Sequence, residues 1–170
     1  GELAVRGPND RSFQRFPVGP GATDLVVLSG GTTALVANRF ADQLARVDLD
    51  ERRVVQVIDL GDPAAATLAD RGEQLFYDAT LSLHGWFSCH SCHTDGHTCG
   101  LLNDKLGDNS CGAPKRIPSL LGTGATSPWG WNGSQTMLID QIHKSMKLTM
   151  RAEEQRPADR ADAAALAAYL

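Results

Sequence analysis

The chain has 170 residues, of which 42% are hydrophobic and 21% are charged, and its formal net charge is −4. This is the composition of a globular protein, and the charge gives no electrostatic argument for a nucleic-acid partner. No apolar run reaches the roughly 18 residues of a membrane span, and no basic segment with an apolar core stands at the start. We therefore expect no membrane span and no signal peptide in this sequence.

The first 61 residues have the pattern of a β-sheet. Short runs rich in Val, Leu and Ile are separated by turn-forming residues, and they occupy residues 24–29, 33–39, 43–49 and 53–60. Runs of this length between turn signals are typical of strands. The sequence predicts a four-stranded antiparallel β-meander, which we take as a first domain over residues 1–61.

Residues 20–61 resemble one blade of a YVTN-type β-propeller. The resemblance rests on the segments LVVLSGG, ALVANRFADQLARVDL and VVQVIDLG. Because a propeller closes its ring from several blades, it implies either that further blades lie elsewhere or that one blade is retained as an appendage. A generic β-meander is the alternative interpretation.

Beyond residue 61 the pattern becomes helical. Residues 67–79 and 135–148 carry apolar residues at helical spacing, and residues 157–170 form an Ala-rich final segment. Between them, residues 80–134 are rich in Gly, Ser, Asn, Asp and Pro, and so long an irregular segment needs something other than secondary structure to organise it. The fold class is therefore α+β, with a second, mostly helical domain over residues 62–170.

Cys and His residues concentrate in the stretch FSCHSCHTDGHTCG, residues 87–100. Within it, Cys89, Cys92 and His93 form the sequence C-x-x-C-H, which is the attachment signature of a c-type haem. Two thiols at this spacing can bond the two vinyl groups of one haem, and the adjacent His can ligate its iron. The motif predicts one covalent haem c, around which the irregular segment wraps.

Two other kinds of site use the same residue types. A zinc site would need further ligands from His90, His97, Cys99 and Cys111, but their spacing is not a usual one for zinc. A thioredoxin-like redox C-x-x-C would need a βαβ pattern around it, which the sequence does not show.

The segment after residue 111 supplies candidate haem-pocket residues. Trp129 and Trp131 can pack against a porphyrin, and Arg116 and Lys115 can reach its propionates, as can the indole N–H groups. For Lys115 a solvated loop position is an equally good interpretation.

Residues 67–170 resemble a cytochrome c domain of the bacterial di-haem peroxidase and MauG branch. The matching segments are RGEQLFYDATLSLHGWFSCHSCHTDGHT, GAPKRIPSLLGTGATSPWGWNGS, QIHKSMKLTM and AALAAYL. The resemblance implies that the terminal helix crosses the first helix of the domain, with Gly72 giving close approach to Tyr169. Two features depart from the family: there is one C-x-x-C-H where the peroxidases carry two haems, and Asn132 and Ser134 stand where the family commonly has Asp and Arg.

The resemblance also indicates the second axial ligand of the iron. In similar domains a Met lies just before the last helix, in a Thr-Met step, and Met150 fits that position. Met146, one helical turn earlier, is the alternative, although its spacing also fits core packing. Met137 is expected to pack in the core.

The remaining histidines are weaker ligand candidates. His90 lies inside the C-x-x-C loop, and His97 follows His93 too closely to reach the opposite face of a haem. We expect His84 and His143 to be surface residues.

Cys99 and Cys111 are left over from the haem motif and flank a polar loop. Because haem c is attached outside the cytoplasm, where disulfides persist, we expect a Cys99–Cys111 bridge, which would stabilise the fold by about 3 kcal/mol in the chain-entropy description. The alternative is two unpaired thiols.

Together these features predict a mono-haem c-type electron-transfer domain, periplasmic or extracellular, that exchanges electrons with a redox partner protein. The alternative is an enzyme, namely half of a MauG-like or di-haem peroxidase whose second haem domain lies on another chain. The single C-x-x-C-H favours electron transfer over a complete peroxidase.

Overall fold

Four consecutive strands build the sheet of the first half in the computed structural model. They are β3 (Ala22–Val27), β4 (Thr33–Asn38), β5 (Gln43–Asp48) and β6 (Arg53–Asp59), and each pairs antiparallel with the next, in the order β3-β4-β5-β6. Gly30 and Gly31, with φ of +103° and +74°, make the turn between β3 and β4 in a backbone region that favours glycine. The four-stranded meander is thus confirmed, and with it the α+β fold class.

A hairpin that the sequence analysis does not predict precedes this sheet. It consists of β1 (Glu2–Val5) and β2 (Gln14–Pro17), which pair antiparallel. Its Leu3 and Phe16 pack against a buried cluster formed by Val18, Ala34, Val36, Ala45 and Val47. Alternate residues of β4 and β5 therefore point into one core, as the period of a strand requires.

The structure describes residues 1–61, 65–104, 111–154 and 157–170. The chain divides into two compact units, Gly1–Ala65 and Ala66–Leu170. The first contains the strands described above, and the second contains the helices. None of the helices among the described residues is both long and apolar enough to cross a membrane.

Among the described residues, the second unit contains four α-helices: α1 (Leu68–Tyr77), α2 (Cys89–Cys92), α3 (Leu138–Leu148) and α4 (Arg160–Tyr169). A short hairpin of β7 (Leu102–Asn103) and β8 (Lys115–Arg116) lies between α2 and α3. Helix α1 begins at a capping box, in which Asp70 N donates to Thr67 Oγ1 at 3.2 Å and Thr67 N donates to Asp70 Oδ2 at 2.7 Å. Asp159 caps α4 in a similar way by accepting from Ala161 N at 2.8 Å.

The first and last helices of this unit pack at very close range. A Cβ added at Gly72 would overlap the carbonyl oxygen of Ala165 and lie 2.9 Å from the Cβ of Tyr169. The close approach of Tyr169 to Gly72 that the resemblance implies is therefore confirmed. Only glycine leaves room for the backbone of α4 at this crossing.

An ion pair next to Gly72 also joins these two helices. Asp162, in the first turn of α4, is 2% exposed and accepts from Arg71 Nη2 at 2.6 Å. The negative charge at the helix N-terminus is also favoured by the helix dipole. The second unit also has a core of buried apolar side chains, which includes Phe76, Leu81, Met146 and Leu166.

Candidate functional site

The C-x-x-C-H segment folds as a single helical turn. Helix α2 contains Cys89 and Cys92, and His93 closes it by donating its backbone N–H to the carbonyl of Cys89 at 2.9 Å. Ser88 precedes the turn and forms a capping box with Ser91, whose Oγ accepts from Ser88 N at 3.0 Å. Because residues three apart on a helix are neighbours, the turn holds the two thiols on one side.

The ring of His93 is oriented by a contact from a distant part of the chain. Its Nδ1 lies 2.9 Å from the carbonyl oxygen of Pro118. A carbonyl only accepts hydrogen bonds, so the proton must sit on Nδ1, and in the neutral ring Nε2 then carries the lone pair. A hydrogen bond of this kind fixes the tautomer and orientation of a metal-binding imidazole.

Pro118 is a site residue that sequence reasoning did not find. It follows the buried Ile117, whose N–H donates to the carbonyl of Leu101 at 3.0 Å, so the β7–β8 hairpin sets its position. Its contact with His93 spans 25 residues and involves a backbone atom, so no motif or spacing signals it.

Met150 lies against the first cysteine of the motif. Its side chain is buried, and its Sδ is 4.0 Å from the Sγ of Cys89. Backbone hydrogen bonds hold its position: Met150 N donates to the carbonyl of Ser145 at 3.0 Å, and Leu83 N donates to the carbonyl of Met150 at 2.9 Å. The structure thus brings together a thiol and a thioether that are 61 residues apart.

The other two methionines differ in their surroundings. Met146 is 1% exposed and belongs to the core of the second unit. Met137 is 53% exposed, so the expectation that it packs in the core is wrong. It immediately precedes the first residue of α3 as the N-cap, where its side chain projects from the helix end.

The Cys89 thiol is neutral at ordinary pH. Burial raises its pKa to about 11, and the neighbouring Cys92 adds to the shift. Cys89 is half-buried, and the nearby thioether sulfur of Met150 gives its thiol an apolar neighbour.

The remaining histidines lie around the motif in different ways. The His90 ring packs on Tyr77 with centroids 4.7 Å apart, and its Nε2 lies 3.3 Å from Asp95 Oδ1. His84 and His97 are exposed. His143 is half-buried and donates from Nε2 to the carbonyl of Ala158 at 3.1 Å, so its placement on the surface is corrected: α3 turns it toward the segment before α4.

The candidate pocket residues differ in exposure and in hydrogen bonding. Arg116 is exposed on β8, and Trp131 is 55% exposed. Trp129 is half-buried, and its indole N–H donates to the carbonyl of Thr123 at 2.8 Å. That N–H therefore already has an acceptor within the chain. Lys115 Nζ donates to the carbonyl of Ala113 at 2.9 Å.

The expected Cys99–Cys111 bridge is not formed, since both cysteines are thiols in this structure. The register of the β7–β8 hairpin gives the reason. Leu102 pairs with Arg116 and Asn103 with Lys115, so Cys99 precedes the ladder at one end while Cys111 lies at the end with the connecting loop. A disulfide requires Cα atoms about 4.4–6.8 Å apart, which this arrangement does not favour.

The donor set suits a covalent haem better than a zinc ion. Two thiols on one turn, an imidazole with its proton held on Nδ1 and a buried thioether are the groups that haem c uses. A zinc site needs four convergent ligands, whereas the described residues contain no group of three or more His, Cys, Asp or Glu side chains that could hold a metal ion.

Comparison with known proteins agrees with this donor set. The family model described as di-haem cytochrome c peroxidase matches residues 66–168. No curated protein and no solved structure matches the chain. The match covers most of the chain, including the whole C-x-x-C-H segment, helices α1 to α3 and all of α4 except its last residue. The chain therefore belongs to the di-haem cytochrome c peroxidase family, a family of haem-binding redox proteins.

Proposed function

We propose that this chain binds one haem c and carries single electrons to or from a redox partner protein. Cys89 and Cys92 supply the two thioether bonds, and His93 and Met150 supply the two axial ligands. The single C-x-x-C-H in the sequence supports one haem. The haem-binding domain corresponds to residues 62–170, and residues 1–61 form a separate β segment.

The observation that carries the proposal is the contact between Met150 and Cys89. A thioether sulfur 4.0 Å from the thiol of the attachment turn lies within the neighbourhood that a haem on that turn would occupy. Met146 remains the alternative, because it is buried in the same core cluster.

Each residue of the site has a separate task in this function. The two cysteines keep the haem attached, while the carbonyl of Pro118 keeps the proton on Nδ1 of His93 and leaves Nε2 as the ligating atom. When bound, the haem supplies a reversible one-electron change at its iron, and a Met ligand raises its reduction potential relative to a second His. Arg116 is an exposed cation on β8 that can neutralise a propionate.

The first experiment determines how many haems the chain holds and where they are attached. Mass spectrometry and a pyridine haemochrome assay on the holoprotein should give one covalent haem per chain. Replacement of both Cys89 and Cys92 by Ser should abolish covalent attachment, whereas the matched change Cys111→Ser should retain it. Two haems per chain, or none, would overturn the proposal.

A second candidate is supported by the family match itself, because the matching family is named for peroxidase activity. In this case the chain would be half of a MauG-like or di-haem peroxidase, with its second haem domain on another chain. Such an enzyme needs an iron open to peroxide, hence a high-spin spectrum and turnover of hydrogen peroxide. A low-spin spectrum without turnover favours electron transfer.

The β segment is proposed to be a propeller-like blade that packs against further blades. Residues that pair across strands share a face, and Val26 pairs with Leu35 while Leu44 pairs with Ile58 on the face opposite the buried Ala45 and Val47. This face also carries the polar Arg46, which pairs with Gln56, and the exposed Val26 is an apolar residue on it that a neighbouring blade would cover. Substituting Val26 and Leu44 by Ser should then leave folding intact and weaken association with blades on other copies, as measured by analytical ultracentrifugation of the chain.

Attachment of haem c places the protein in the periplasm or outside the cell, since this chemistry takes place beyond the cytoplasm. Fractionation of cells that produce the holoprotein tests this directly. Recovery of the haem-loaded chain in the cytoplasmic fraction would contradict it.

A further inference from the structure

A third cysteine lies next to the attachment turn. The backbone N–H of Cys99 donates to the carbonyl of Cys92 at 2.9 Å. With standard backbone dimensions, a single N–H···O=C bond of this length holds the two Cα atoms within roughly 6.5 Å of each other. Disulfide-bonded residues have Cα atoms about 4.4–6.8 Å apart, so the backbone of Cys99 is at bridging distance from that of Cys92.

The loop between these two cysteines is fixed by its own hydrogen bonds. A 3-10 turn at Thr94–Gly96 reverses the chain, with His97 N donating to the carbonyl of Thr94 at 2.8 Å and Gly96 N to that of His93 at 2.9 Å. Thr98 Oγ1 then donates to the carbonyl of Ile117 at 2.6 Å. The fold therefore returns Cys99 to Cys92 before any bridge forms, which lowers the entropic cost of closing one.

The other two thiols have different neighbours. The Sγ of Cys89 lies 4.0 Å from Met150 Sδ and packs against the core of the second unit. Cys111 is exposed at the loop end of the β7–β8 hairpin, on the far side of the ladder from Cys99. Cys92 is therefore the cysteine to which Cys99 is joined by a backbone hydrogen bond.

We propose that Cys92 and Cys99 form a disulfide when the haem-free chain meets an oxidant, and that this bond withholds Cys92 from haem attachment. The disulfide depends only on the geometry described above. Its consequence for haem attachment rests on the proposed function, in which Cys92 forms a thioether.

The oxidation is a thiol–disulfide exchange with a small disulfide such as glutathione disulfide. One cysteine thiolate attacks that disulfide and releases one glutathione; the second cysteine then attacks the mixed disulfide and releases the other. The glutathione S–S bond breaks as the mixed disulfide forms, and the mixed disulfide bond breaks as the Sγ–Sγ bond forms. Two electrons pass to glutathione, and the two thiol protons end on the two glutathione molecules.

The test maps disulfides in the full chain purified without haem. The chain is incubated with glutathione disulfide, remaining thiols are alkylated, and a protease that cleaves before Asp is added. Cleavage before Asp95 separates Cys92 from Cys99. We expect fragments 78–94 and 95–103 to be linked, with a mass about 2 Da below their sum because two hydrogens are lost.

Matched variants identify the partner. Cys89→Ser should keep the link and Cys92→Ser should lose it. The proposal is overturned if Cys99 is recovered alkylated, if its fragment is linked to the one with Cys111, or if the link survives Cys92→Ser.

A second measurement tests the consequence. The oxidised chain should attach haem through Cys89 alone until dithiothreitol is added, whereas oxidised Cys99→Ser should form both thioether bonds without reductant; peptide mapping of the haem-bound cysteines distinguishes the two. The same thioether pattern in both chains would overturn the effect on attachment and leave the mapped disulfide standing, so the two failures are distinguishable.

Discussion

The Nδ1 atom of His93 and the carbonyl oxygen of Pro118 lie 2.9 Å apart, which joins the attachment turn to the hairpin that follows it. The contact leaves Nε2 of His93 as the atom that would ligate the iron. Replacing the ring by His93→Gly should therefore keep the covalent haem on Cys89 and Cys92 but lose the low-spin spectrum. Added imidazole should restore that spectrum by filling the vacated position. His97→Gly, at an exposed position four residues later, is the control and should leave the spectrum unchanged. A low-spin spectrum in His93→Gly without imidazole would contradict this role.

The crossing of α1 and α4 predicts a strong effect of a single methyl group. Gly72→Ala would push a Cβ into the carbonyl oxygen of Ala165, and such overpacking typically costs about 1–3 kcal/mol in the free energy of unfolding. Gly124→Ala is the matched control, since its Cβ would lie 3.9 Å from the nearest atom, a carbonyl oxygen of Leu170, and should change stability by less than about 0.5 kcal/mol. Urea unfolding of the three proteins measures both. Equal stability of Gly72→Ala and the parent would show that the helices do not pack this closely.

The buried carboxylate of Asp162 should make Arg71 important for stability. Removing the cation by Arg71→Met leaves a nearly inaccessible charge without that partner, and we expect a loss of about 1–3 kcal/mol in the free energy of unfolding. Arg160→Met breaks the more exposed pair with Asp140 and should cost no more than about 1 kcal/mol. Thermal or urea unfolding distinguishes them, and a larger loss in Arg160→Met would contradict the ranking.

The capping box of α1 should produce a specific pH dependence. Hydrogen bonds from the Thr67 side chain and backbone lower the pKa of Asp70 from its ordinary value of 3.8. A carboxyl whose pKa is lower in the folded state stabilises the fold above 3.8, and this contribution is lost as the pH falls through the folded-state pKa. Thr67→Ala removes the side-chain bond and should therefore lose less stability on acidification than the parent chain. Unfolding free energies measured from neutral pH downwards check this, and parallel pH profiles would contradict it.

Local patterns in the sequence predict the elements of this fold well, because strand alternation and helix periodicity are set by neighbouring residues. The meander is recognisable from the Val-rich runs around Val36 and Val47, and the haem motif from Cys89, Cys92 and His93 alone. The β1–β2 hairpin was missed, since its strands are only four residues each and gain their stability by covering another sheet.

Long-range relationships were harder to predict. The Pro118 contact uses a backbone carbonyl, which no residue type signals. The Cys99–Cys111 bridge was expected because haem c is attached where disulfides persist, whereas the pairing of Leu102 with Arg116 sets Cys99 and Cys111 at opposite ends of the β7–β8 ladder. The backbone contact of Cys99 with Cys92 depends on the same tertiary information.

The identity of the second axial ligand is the central claim, and near-infrared magnetic circular dichroism of the oxidised holoprotein tests it most directly. A Met ligand gives a weak sulfur-to-iron band, which we expect in the parent chain and in Met137→Ala, whose side chain is exposed. Met150→Ala should lose the band and Met146→Ala should retain it. Loss of the band in Met146→Ala with retention in Met150→Ala would contradict the assignment.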